Sequence, residues 1–180
     1  MEKEKIKKAL EDTHDGLMKY LEIMNLINTT DVSINKNFQR LYNGFYRMRQ
    51  RKPEFYKEYF KYLEENKNKD VEFAEVLNYF YMRFYRIEAS FASKLVATIN
   101  PNQPIIDQYV LKNLNLKKPT YSDRNRLIKT VQVYEDVCER LNEIRESEEG
   151  REIIRQFDEK YPNCKITDIK KLDLVFWQIR

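Results

Sequence analysis

Apolar side chains recur at helical spacing along almost the whole chain. Ile6, Leu10, Leu17, Leu21 and Met24 predict a first helix over residues 2–27, which Asn28-Thr29-Thr30-Asp31 ends. From Asn35 onward, Phe38, Leu41, Tyr42, Phe45 and Met48 share one face of a second helix, with Lys36, Arg40, Arg47 and Arg51 opposite. Pro53 suits the first turn of a third, because its missing N–H costs nothing there. Phe55, Tyr56, Tyr59, Phe60 and Leu63 follow it. Residues 71–99 hold a helical period in Phe73, Leu77, Phe80, Phe84, Ile87, Phe91 and Leu95 without a Gly or Pro. That predicts one long central helix, apolar around much of its circumference.

Two prolines in Asn100-Pro101-Asn102-Gln103-Pro104 exclude continued helix. A short helix is expected over residues 105–114, then a longer one from Ser122 with Leu127, Val131, Tyr134, Cys138 and Leu141 on one face. Gly150 marks a break before a helix that ends near Tyr161-Pro162. Thr167 or Asp168 can cap a last helix that buries Leu172, Val175, Phe176 and Ile179, with Trp177 at least partly covered. At 180 residues this describes one domain, residues 1–180. The expected fold is an all-α orthogonal bundle of about seven to nine helices.

Composition narrows the chemistry. Hydrophobic residues make up 42% and charged residues 34%, a balance that supports a packed core rather than disorder. No apolar run reaches membrane-spanning length, and the charged first residues lack a signal-peptide pattern, so no membrane association and a cytoplasmic location are expected. Cys138 and Cys164 have no partners at zinc spacing and read as reduced structural thiols, so no metal site is expected. Gly-rich phosphate loops and zinc-protease motifs are missing, so no cofactor is expected either. His14 is the single histidine, on a charged stretch where solvent exposure is expected rather than a triad role.

Net charge is +4, unevenly spread. Residues 36–61 carry eight Lys/Arg against two Glu, and residues 134–152 carry eight acids against three Arg. Lys36, Arg40, Arg47, Arg49 and Arg51, interleaved with Tyr42 and Tyr46, have the character of a nucleic-acid surface that tracks phosphates and stacks on bases. The competing expectation is a solvated amphipathic face.

The segment from Glu88 to Val110 is the most distinctive. It places Glu88 and Lys94 in the most apolar helix beside Ser90 and Ser93, and Asp107 at a helix start, where it can cap N–H groups or serve as a catalytic carboxylate. Lys94, a Pro-containing connection and Pro104-Ile-Ile-Asp107-Gln-Tyr-Val110 together resemble the lysine-to-aspartate segment of helix-hairpin-helix DNA glycosylases. The resemblance implies a catalytic pair, with Lys94 attacking the sugar carbon of a flipped nucleotide and Asp107 stabilising the cation and assisting proton transfer. Glu88, Ser90 and Ser93 would support them. The Gly-rich hairpin of that superfamily is missing, since no Gly lies between Gly44 and Gly150, and the thirteen-residue Lys94–Asp107 interval is shorter than in those enzymes. Over its full length the chain looks like a group of uncharacterised bacterial helical proteins distantly similar to that fold.

The expectation is therefore a nucleic-acid-associated helical protein, a divergent or degenerate glycosylase-like protein that acts on or binds DNA. Whether it is an enzyme stays open. One alternative is a non-catalytic protein-interaction module in which Glu88, Lys94 and Asp107 form a buried structural network. The other is a homo-oligomer that pairs its basic and acidic regions.

Overall fold

A computed structural model describes residues 3–179. Among them are ten α-helices and no strand: α1 (Lys3–Asp12), α2 (His14–Thr29), α3 (Lys36–Phe45), α4 (Pro53–Asn66), α5 (Phe73–Phe84), α6 (Ala89–Ile99), α7 (Gln108–Asn113), α8 (Arg126–Glu146), α9 (Glu148–Lys160) and α10 (Asp168–Gln178). The start expected at Glu2 lies outside the described residues. The protein is an all-α single domain.

The helix count exceeds expectation because two helices predicted as continuous are each broken. The first breaks at Thr13, which is fully buried and whose Oγ1 donates to the Ala9 carbonyl at 2.7 Å. Such back-bonding offers the carbonyl a partner other than the helix ladder and bends the chain. The second breaks between α5 and α6. Tyr85 takes a left-handed conformation, φ 51°, while its N–H still bonds the Tyr81 carbonyl at 2.8 Å, and the chain turns through Arg86 and Ile87 to Glu88. Neither break carries a Gly or Pro, so neither shows in the local pattern.

Several boundaries follow capping chemistry. Asn35 accepts from the Phe38 N–H at 2.9 Å to start α3, and Thr167 accepts from the Lys170 N–H at 3.2 Å to start α10. Pro53 occupies the first turn of α4 as expected. The α8–α9 break falls at Ser147 rather than at Gly150, because the Ser147 hydroxyl caps Gly150 N at 3.0 Å. Gly150 instead permits close approach: a Cβ there would lie 1.8 Å from the Ile144 carbonyl oxygen. The helix expected from Ser122 starts at Arg126, because Asp123 is held in a turn by Thr120, whose N–H donates to Oδ2 at 2.6 Å.

Two helices form the centre. Phe91 to Thr98 of α6 are all buried, and so are Ile169 to Phe176 of α10. α10 packs against α1, α7, α8 and α9, and α6 against α4 and α5. Phe38, Tyr42, Phe55, Tyr59, Phe60, Phe80 and Phe91 form one aromatic cluster among α3, α4, α5 and α6. The polar ends of its tyrosines are satisfied internally: Tyr42 Oη lies 2.9 Å from Tyr59 Oη and 3.2 Å from Thr98 Oγ1, and Tyr46 Oη lies 3.1 Å from Thr98 Oγ1. Tyr42 and Tyr46 are therefore core residues, which corrects the expectation that they stack on bases. No helix among the described residues is long and apolar enough to cross a membrane.

Candidate functional site: a cationic cleft around Lys94

A cleft of about 820 Å³ opens where several parts of the chain meet. The α3–α4 connection supplies Arg47, Arg49 and Arg51; the α5–α6 turn supplies Tyr85, Arg86 and Glu88; α6 supplies Ser90, Phe91 and Lys94. Asp107 enters from the α6–α7 loop, Lys118 and Tyr121 from the α7–α8 loop, Arg126 from α8, and Trp177 from α10. Seven cationic side chains line it against two carboxylates, so its field is strongly positive. Tyr85 and Tyr121 stand at its rim, 80% and 90% exposed.

Lys94 is 8% exposed on the inner wall. Its Nζ has no hydrogen bond or ion pair among the described residues and lies 5.9 Å from the centre of the Phe91 ring. Burial lowers its pKa to about 8; the Asp107 charge opposes that shift, while Lys118 and Arg49 add to it and Asp173 weakly opposes it. An amine in this state is partly neutral near physiological pH, which a nucleophile requires.

Asp107 is the N-cap of α7, and its Oδ1 accepts from the N–H groups of Tyr109 at 2.7 Å and Val110 at 3.3 Å. Its Oδ2 has no hydrogen-bond partner among the described residues. Ser93 positions this loop against α6. It is fully buried, its Oγ accepts from the Ile106 N–H at 3.0 Å, and its own proton goes to the Ser90 carbonyl at 3.3 Å. Ser93, which precedes Lys94, thus holds Ile106, the residue before Asp107.

Glu88 supports the wall without joining the Lys94 pair. It is 6% exposed and accepts from Arg51 Nε and Nη2, each at 2.8 Å, and from Arg86 Nε at 3.0 Å. That corrects the expected Glu88–Lys94–Asp107 network: the carboxylate is spent on Arg51 from the α3–α4 connection and on Arg86 of its own turn.

The expected basic stripe is also divided. α3 ends at Phe45, and Arg47 turns the backbone with φ 46°, so the cations after it leave the helix. Arg47, Arg49 and Arg51 line the cleft, whereas Lys36 and Arg40 stay on α3 with Gln39 and Asn37 as partners at 3.2 and 3.0 Å and do not.

The sequence pattern missed Arg86, Lys118, Tyr85, Tyr121, Arg126 and Asp173. Asp173 carried a signal: with Lys170 it places charge among the leucines of the last helix. The two form a buried ion pair at 2.8 Å. Asp173 also borders a cavity of about 20 Å³, room for one water, together with Lys94, Asp107, Tyr46 and Trp177. Arg47 lies over the Trp177 ring at 5.4 Å.

Outside the cleft, His14 is exposed and stacked on Tyr161 at 6.1 Å. Cys138 is half-buried with its thiol pushed up to about 11, chiefly by burial. Among the described residues no three His, Cys, Asp or Glu side chains are grouped as a metal site would require. Comparison with protein-family models, with curated proteins and with solved structures finds no match to this chain.

Proposed function

We propose that the cleft binds DNA and that the protein is glycosylase-like, with Lys94 as nucleophile and Asp107 as the carboxylate that stabilises positive charge at the sugar. One observation carries this reading: a nearly buried amine with no hydrogen bond or ion pair among the described residues and a carboxylate with one free oxygen border a single cleft whose other walls are arginines, lysines and exposed tyrosines. The polyanion is drawn in by the cationic walls, and its release of counterions makes binding steeply salt-dependent. Tyr85 and Tyr121 offer π-faces to unpaired bases. The neutral Lys94 amine attacks C1′ of an extruded nucleotide. The new N–C1′ bond forms as the bond to the base breaks, and the base leaves with the electron pair and takes up a proton. The arrangement of Lys94 and Asp107 on consecutive helical segments supports a glycosylase-like fold.

The test is imine trapping. On abasic DNA the Lys94 amine condenses with the sugar aldehyde, releasing water, and borohydride reduces the imine to a stable adduct. The adduct should form with the native protein and vanish in Lys94→Ala; no adduct with the native protein sinks the catalytic reading.

A second reading, a non-catalytic binding module, is favoured by the use of Asp107 Oδ1 as a helix cap. It predicts salt-dependent DNA binding that survives Lys94→Ala, with no trapped adduct.

A further inference from the structure

The seven cations of the cleft are not equivalent. Arg51 and Arg86 are spent on Glu88, Arg47 lies over Trp177, and Arg126 lies 4.2 Å from the centre of the Tyr121 ring. Arg49, Lys94 and Lys118 are left: none of their side chains donates a hydrogen bond among the described residues, and of the three only Lys94 lies near a ring, Phe91 at the longer distance of 5.9 Å. All three line the same cleft, and Arg49 lies within electrostatic reach of both lysines. Lys118 is pushed down by burial and by Arg49, with Asp107 opposing, and Lys94 is pushed down by burial and by both Lys118 and Arg49. The carboxylate among them is Asp107, whose Oδ1 already caps α7. Asp173, which borders the small cavity beside Lys94, is neutralised by Lys170. Three cations against one carboxylate leave two positive charges on a concave wall with unused donors.

We propose that Arg49, Lys94 and Lys118 form a subsite for a phosphate monoester dianion, as carried by the end of a nucleic-acid strand or by a free nucleotide. A phosphomonoester brings about −1.5 to −2 charges at neutral pH and three acceptor oxygens, which matches the excess. An internal phosphodiester brings one charge and leaves half of it uncompensated. The Arg49 guanidinium suits two phosphate oxygens at once, and Lys118 acts as a point charge on a third. A dianion there restores the ammonium form of Lys94, so occupancy of the subsite lowers the reactivity of that amine. The subsite rests on the proposed polyanion cleft but not on imine chemistry.

The experiment compares one oligonucleotide with a 5′-phosphate, a 3′-phosphate or hydroxyl ends, at constant ionic strength. In parallel, inorganic phosphate and a nucleoside 5′-monophosphate are tested as protectors of Lys94 against an amine-acylating reagent, read by mass spectrometry. A terminal phosphate should tighten binding about tenfold. Arg49→Ala and Lys118→Ala should each weaken binding of every strand, as loss of a wall cation requires, and should in addition bring that ratio toward one. Protection by the small phosphates identifies free nucleotides as a source, and protection by phosphorylated strands alone identifies strand ends. Equal affinity for phosphorylated and hydroxyl ends with no protection of Lys94 by any phosphate overturns the subsite. So does a preference, or a protection, that survives both substitutions. Failure of imine trapping with an intact end preference refutes the lyase chemistry and leaves the subsite standing.

Discussion

Arg51 grips Glu88 through two parallel hydrogen bonds of 2.8 Å, joining the α3–α4 connection to the turn that separates α5 from α6. Bidentate pairing of this kind fixes geometry as well as charge. It explains how a buried carboxylate is tolerated where an uninterrupted apolar helix was expected, and it anchors one wall of the cleft.

Arg51→Ala should therefore destabilise the domain by about 2–3 kcal/mol, because Arg86 alone remains to neutralise a nearly buried Glu88. Glu88→Gln should cost less, since the amide still accepts one hydrogen bond and carries no charge to desolvate. Urea denaturation of both variants checks the order; equal costs would mean that the pair contributes packing rather than charge compensation.

Ser93→Ala removes the acceptor for the buried Ile106 N–H and should cost about 1–2 kcal/mol. Its larger effect should fall on the cleft: the loop that carries Asp107 loses its tie to α6, so amide exchange at Ile106 should quicken well before global unfolding.

Lys94 makes stability depend on pH in a known direction. Its pKa falls from 10.5 unfolded to about 8 folded, so between those values the unfolded chain binds more protons and stability rises with pH. The penalty is complete below pH 8 and amounts to roughly 3 kcal/mol. Lys94→Met should thus be more stable than the native protein at pH 7, by an amount that shrinks as pH rises from 8 to 10.5. The difference between the two stabilities isolates this group from the tyrosines that also titrate in alkali. A difference independent of pH would show that the amine is not desolvated.

Asp107 has two roles that separate by substitution. Asparagine caps a helix as well as aspartate does, so Asp107→Asn should leave stability within about 0.5 kcal/mol while Asp107→Ala costs about 1 kcal/mol. Both remove the charge that most opposes the downward shift of Lys94, so the midpoint of Lys94 acylation should move below that of the native protein in each. An unchanged midpoint would place Asp107 out of electrical reach of the amine.

Helical periodicity alone determined that the chain is an all-α domain, because burial of one helical face is a local rule written every three or four residues. Local chemistry also set helix starts at Asn35, at Pro53 and at Thr167 or Asp168, since the side chain that begins a helix lies within three residues of the N–H groups it satisfies. Lys94 and Asp107 were legible as candidates because charge is out of place in apolar sequence. What the local pattern could not contain is partnership at a distance. Arg51 and Glu88 are 37 residues apart, yet their pairing accompanies the break of the central helix. Tyr42 and Tyr46 look like exposed aromatics beside arginines until Tyr59 and Thr98 arrive to satisfy their hydroxyls. The basic stripe was divided by one left-handed residue, Arg47, which with Arg49 and Arg51 turns into a cleft that Lys118, Tyr121 and Trp177 complete from elsewhere in the chain. Tertiary structure decided these points because a charge or hydroxyl costs little in water and much when buried, so its place depends on which distant group comes to meet it.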